Sequence, residues 1–234
     1  MRVWTVVFAA IAALHATAAA ANDPARVVFP ESVQQGAMVI GKVPPGSEVD
    51  YAGRRLRVTP YGSVVLGIGR DAAEAAVVSV RRPDGSVHEA RIAVTPRDWP
   101  VERVSSVPPR TVEPPPEVAA RIAREAARVR EARLLDDARA DFAKPFIRPV
   151  EGRISGRFGN HRIYNGTPGS PHSGMDIAAP TGTPVLAPAA GVVTLADPDL
   201  YLTGGTLLID HGHGISSNFL HLSRIDVKPG DRVE

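Results

Sequence analysis

Glycine and proline interrupt this chain so often that long regular elements have little room in it. There are 21 Gly and 22 Pro in 234 residues, and between them lie short runs rich in Val. Proline withholds a backbone donor and glycine admits turn conformations, so each tends to mark an element's end. Short β-branched runs bounded in this way read as strands. Over 22–98 the runs are RVVF, AMVIGKV, EVDYAG, RRLRVT and SVVLGIG. VVSVRRPDGSVHEARIAV then reads as a hairpin turning on Asp84-Gly85, a dipeptide that tolerates positive φ. A small antiparallel sandwich or barrel fits. His88 stands alone in it and is expected on a solvated strand face, so the module reads as a binding or packing domain.

Residues 99–116 change character, with six prolines in WPVERVSSVPPRTVEPPP, and read as an extended, semi-rigid linker. A connecting helix is expected over 117–145, its helical pattern running to Phe142. There Val118, Ile122, Ala126 and Val129 recur at three- and four-residue steps and make one apolar stripe. From 146 to 234 dense, turn-punctuated strand signals return and suggest a compact antiparallel sheet. The expected fold class is therefore mainly β with one connecting helix, joining a small N-terminal β domain to a C-terminal antiparallel β domain.

Residues 1–21 bear on compartment. Arg2 precedes an apolar run, Val3 to Leu14, and the small-residue tail ATAAAA follows, the pattern of a secretory signal peptide. The run is short of the ~20 residues that span a bilayer, and no later stretch is apolar for that length. A mature chain without a transmembrane segment, working in the periplasm or outside the cell, is the expectation. Charge is nearly balanced, 27 Lys+Arg against 25 Asp+Glu, and basic residues form no long block, so no nucleic-acid partner is indicated. The absence of cysteine rules out disulfides, thiolate ligands and a Cys nucleophile.

The stretch PHSGMDIAAPTGTPV, residues 171–185, carries the chemistry. His172 and Asp176 supply an imidazole and a carboxylate, both zinc-ligand types. Pro171, Gly174, Pro180 and Gly182 argue against a helix. On a straight strand the two residues would share a face about 13 Å apart, too far for one ion. They can reach one metal if the chain bends at Ser173-Gly174. Without that bend they are a surface His and a turn Asp.

Five ordered segments decide between these readings: RFG at 157–159, PHSGMDIAAPTGTPVLAPAAGVV at 171–193, LLIDHGHG at 207–214, FLHLS at 219–223 and VKPGDRV at 227–233. Together they resemble the lysostaphin-like, or LytM-type, zinc metallopeptidases (β-lytic metallopeptidases) over about residues 148–234. The resemblance implies that His172 and Asp176 bind one Zn2+ and that His221 is a catalytic histidine. Arg157 and Tyr164 are candidates to line a substrate groove. The family's third zinc ligand lies in a later HxH motif, so the peptidase domain is expected to lack its C-terminal end at Glu234. Phe219 and Ser217 stand where the family often has Tyr and Thr. A second HxH, His211-Gly212-His213, would put two imidazoles about 6.6 Å apart on a strand face. It precedes FLHLS, however, and reads as turn residues near the cleft mouth.

The activity implied is hydrolysis of peptide cross-links or bridges of bacterial peptidoglycan through a metal-activated water, with His221 handling the proton or the oxyanion. The rival reading is a non-catalytic LytM-type regulator that binds and activates cell-wall amidases, with division proteins as further partners. Such regulators usually depart from the pattern at the ligands, whereas His172, Asp176 and His221 are present here.

Overall fold

The computed structural model describes residues 26–105, 107–108 and 114–234. The expected signal peptide at 1–21 lies outside them. Among the described residues the chain is mainly β with a single α-helix, and it forms two compact units. One comprises the described residues up to Val33 with Met38–Leu66 and Ala75–Ala93; the other comprises Gln34–Ala37, Gly67–Glu74 and Val94–Glu234.

In the first unit, strands β1 (Ser32–Gln34), β3 (Glu48–Tyr51), β4 (Arg54–Leu56), β6 (Ala75–Arg81) and β7 (Val87–Thr95) form a sheet in the order β1-β7-β6-β3-β4. Strands β2 (Met38–Lys42) and β5 (Ser63–Gly67) pair separately. Alternation decides which side chains enter the core: Val49, Val78, Val80 and Ile92 are fully buried, each contributing about 1.5–3 kcal/mol. The β6–β7 hairpin turns where expected. Gly85 has φ 84°, and the Asp84 carboxylate accepts the Ser86 N–H at 2.8 Å. His88 is half-buried on the side that carries Ile92, because the two share strand parity, and so does not lie on a solvated face.

In the second unit, β13 (Gly191–Leu200), β14 (Gly204–Asp210), β15 (Ser216–Leu222) and β16 (Arg232–Val233) form an antiparallel sheet in the order β15-β14-β13-β16. Strands β9 (Arg153–Gly156) and β12 (Asp176–Ala178) pair antiparallel. A third sheet joins β10 (His161–Tyr164), β11 (Thr167–Pro168) and β8 (Val101–Val104). Two expectations change here. The stretch read as a linker contains β8, and β8 runs parallel to β10 in an otherwise antiparallel set.

Helix α1 spans Pro116–Ala132 and ends ten residues before Phe142, the end expected from the sequence. Proline at its first turn costs nothing, since that N–H has no intrahelical acceptor. Its last turn tightens, with Arg133 N–H to Arg130 O and Leu134 N–H to Glu131 O. Beyond it, contacts with the sheet outcompete helix. Asp137 O accepts the His213 N–H at 3.1 Å, and Phe142 N–H donates to His211 O at 3.1 Å. The helix packs on Leu195, Leu200 and Leu208 of β13 and β14 through Val129 of the stripe and through Ala132, one turn further on. Arg128–Asp197 at 2.8 Å and a Tyr201 N–H donated to Glu125 at 2.8 Å hold the helix on β13 and the turn after it. No helix among the described residues is long and apolar enough to cross a membrane.

Candidate active site

The chain bends at Gly174 and enters β12 at Asp176, which brings Asp176 Oδ1 to 3.0 Å from His172 Nε2. His172 is fixed from behind. Its N–H donates to Asn160 O at 2.9 Å, its carbonyl accepts the Gly159 N–H at 2.8 Å, and its ring Nδ1 lies 3.1 Å from Arg157 O. A carbonyl can only accept, so Nδ1 carries the hydrogen. When the ring carries no second proton, Nε2 turns its lone pair toward the Asp176 carboxylate oxygen. Two acceptors at 3.0 Å call for a cation between them, either a proton on the ring or a metal ion. A tetrahedral zinc bound at ~2.0–2.1 Å to each would hold these atoms about 3.3 Å apart. The pair therefore fits the ion that the sequence resemblance implies.

Asp176 engages a second partner that sequence reading missed. Arg162 Nη2 donates to Asp176 Oδ2 at 2.6 Å, and its Nε donates to Glu102 Oε2 at 3.2 Å. Burial pulls the Arg162 pKa down, but hydrogen bonds to Tyr164 and Asp176 outweigh it and leave the guanidinium above its ordinary value. Glu102 is held below the usual carboxylate range, chiefly by Asn160 Nδ2, which donates to it at 2.6 Å. Arg162 could have been found by strand parity, since it shares a face of HRIY with Tyr164. No local signal marks Glu102, which lies 60 residues earlier.

The candidate substrate residues divide. Tyr164 lines the cleft with its hydroxyl 3.5 Å from Arg162 Nη1. Arg157 is absent from the cleft lining; its backbone acts instead, the carbonyl toward His172 and the N–H toward Glu102 at 3.4 Å. The turn around Gly159 sets this geometry, so the Arg157 side chain is not a cleft group.

His221 lines the same cleft as His172 and Asp176. It has φ 60°, and the β14–β15 register shifts between Gly205 and Leu207, so that Leu220 and His221 together oppose Thr206. This is a β-bulge, which re-aims a strand side chain. His211 and His213 do not line the cleft. His211 is a core residue, fully buried, with Nδ1 2.7 Å from Ala190 O and Nε2 2.8 Å from Ser217 Oγ. Both its ring nitrogens are engaged, so a metal would have to displace one of these bonds; the position near the cleft mouth expected from the sequence is corrected to the interior. Among the described residues no group of three or more His, Cys, Asp or Glu gathers closely enough to hold an ion.

The cleft has a volume of about 1420 Å³, above the ~300–1,000 Å³ of small-molecule pockets. Met175, Val185, Leu186 and Leu220 give it exposed apolar walls. Fold and site together define a β-rich protein with an open cleft and an imidazole–carboxylate pair in its wall. The description peptidase family M23 matches residues 170–234. A crystal structure of a Pseudomonas aeruginosa protein described as a peptidase M23 superposes with a TM-score of 0.61 at 30% identity, covering 85% of this chain and 78% of that one. The chain belongs to peptidase family M23. Among curated relatives, the peptidoglycan DD-endopeptidase ShyA of Vibrio cholerae is 40% identical over 36% of this chain and 20% of its own length. The cell division protein DipM of Caulobacter vibrioides is 32% identical over 53% of this chain and 19% of its own. The lipoprotein NlpD/LppB homolog of P. aeruginosa is 34% identical over 37% and 27%. The matched stretches thus span about a fifth to a quarter of these relatives.

Proposed function

We propose that this protein is an exported zinc metalloendopeptidase that hydrolyses peptide cross-links or bridges of bacterial peptidoglycan. The observation that carries the reading is the pair His172 Nε2 and Asp176 Oδ1, facing each other at 3.0 Å with the other ring nitrogen directed at Arg157 O. Zinc held there would polarise the scissile carbonyl and acidify a water molecule. His172 and Asp176 supply the two ligands from this stretch. His221, re-aimed by its bulge toward the cleft, would be the group to accept a proton from such a water or to donate to a developing oxyanion. The apolar walls at Met175, Leu186 and Leu220 exclude water around an extended peptide, and Tyr164 offers a hydroxyl along the groove. Relatives named peptidoglycan DD-endopeptidases support the substrate class.

Purified peptidoglycan incubated with the full chain and zinc should release peptide fragments in a chelator-sensitive way, and Asp176→Ala should abolish the release. Release that persists in Asp176→Ala or in excess chelator would sink the reading. The regulator alternative draws on a separate observation: the described residues bring two ligand-type side chains together and no third. It gains weight if the chain leaves peptidoglycan intact but stimulates a cell-wall amidase in the same assay.

A further inference from the structure

We infer that Glu102 and Arg162 form a relay that positions the Asp176 carboxylate for metal binding. The inference rests on the metal-site reading above. Parallel pairing of β8 with β10 sets Glu102 directly opposite Arg162. The Glu102 carboxylate is held at both oxygens, by Asn160 Nδ2 at 2.6 Å on one and Arg162 Nε at 3.2 Å on the other. The guanidinium is a rigid planar fork; with Nε donating to Glu102 and Nη1 near Tyr164, its Nη2 points at Asp176. That contact occupies Oδ2 and leaves Oδ1 as the oxygen facing His172 Nε2. Asp176 is thereby set to bind through one oxygen. Glu102 also balances the arginine's charge, so the group keeps the net negative charge that favours a cation.

Gly156 is an independent witness. It pairs with Asp176 across β9 and β12, and a Cβ built on it would run into Asp176 Oδ2 and Arg162 Nη2. The absent side chain leaves the space that the ion pair fills. Partners that orient metal ligands in this way typically account for 10- to 100-fold in metal affinity. Arg162, Glu102 and Gly156 all precede residues 170–234, the stretch matched by the family description, so the relay assigns a role to the segment upstream of it.

The test is zinc affinity of the full chain, measured by competition with a colorimetric chelator, beside thermal unfolding in chelator. Cobalt(II) absorption serves as a probe of ligand geometry. Arg162→Gln and Gly156→Ala should each weaken zinc about 10- to 100-fold and alter the cobalt spectrum, with the melting temperature in chelator nearly unchanged. Glu102→Gln should have a smaller effect of the same sign, and Arg162→Lys should restore affinity only in part, because ammonium lacks the fork. Zinc binding by the wild type with unaltered affinity and spectrum in both Arg162→Gln and Gly156→Ala would overturn the relay alone. A wild-type chain that takes up no zinc would overturn the metal-site reading and the relay with it.

Discussion

One side chain in the cleft keeps a geometry that folding by itself would not select. His221 holds φ 60°, a left-handed conformation costing a non-glycine residue about 1–2 kcal/mol. Its ring is exposed, so little packing offsets the strain, and the bulge exists to aim it. His221→Gly should therefore raise the urea midpoint by the equivalent of about 1 kcal/mol while lowering peptidoglycan hydrolysis about 10²- to 10⁴-fold. A variant that is both less stable and fully active would show that the bulge serves packing. His172 differs, since its ring is held by Arg157 O and its backbone by Asn160 and Gly159. Spacing alone left His172 and Asp176 as either a bent pair or a surface His and a turn Asp; the five ordered segments favoured the pair, and the structure supplies the bend at Gly174. For Arg157 the structure shows backbone contacts, its carbonyl toward His172 and its N–H toward Glu102; a motif names a residue without saying whether its side chain or its backbone is used.

At the scale of elements, the segment after α1 is a strap stapled to the turn between β14 and β15. Phe142 is fully buried with its ring 4.8 Å from that of His213, and Phe146 lies 4.9 Å from the His211 ring. Asp141 accepts two hydrogen bonds from Arg232, at 2.6 and 2.8 Å, and one from Arg139 at 3.0 Å. Arg139 also pairs with Asp210, whose carboxyl burial pushes up. Phe142→Ala should cost the C-terminal unit about 3–5 kcal/mol, read from chemical unfolding. The Arg232 hydrogen bonds lead in holding the Asp141 pKa below its ordinary value. A carboxylate depressed in the folded state stabilises fully above its unfolded pKa, about 4, and loses that contribution as pH falls through the folded value. Stability of the wild type relative to Asp141→Asn should thus be constant above about pH 5 and shrink below about pH 4. An unchanged difference down to pH 2 would remove Asp141 from the acid response. The strap could not be read from sequence, because its helix-forming residues lose to hydrogen bonds with a turn some 70 residues away.

At the scale of the molecule, the site lies wholly within the C-terminal unit: all of its cleft residues fall between Pro149 and Val233. A ligand that binds only the folded state adds stability to the unit that binds it, about 2.7 kcal/mol at a concentration 100 times its Kd. Zinc at that excess should slow hydrogen exchange up to about 100-fold for amides of β9, β12 and β14. Exchange in β3 and β6, which build the N-terminal unit, should stay unchanged. Equal slowing in both units would show that they open as one cooperative block.

The sequence by itself determined the β class, the Asp84-Gly85 hairpin, the apolar stripe of the helix and the His172–Asp176 pair. The first three follow from interactions within a few residues (strand alternation, turn stereochemistry and helical period), whereas the pair follows from the order of five short segments along residues 157–233. Tertiary structure alone decided where the helix stops, that His211 belongs to the core, that β8 joins β10 in parallel, and that Glu102 and Arg162 reach Asp176. Those outcomes depend on hydrogen bonds and buried volume contributed by segments far apart in the chain, and such competition leaves no periodic trace in the local sequence. The physical boundary is therefore contact range, since local stereochemistry is written into neighbouring residues and long-range pairing exists only once the sheets have formed.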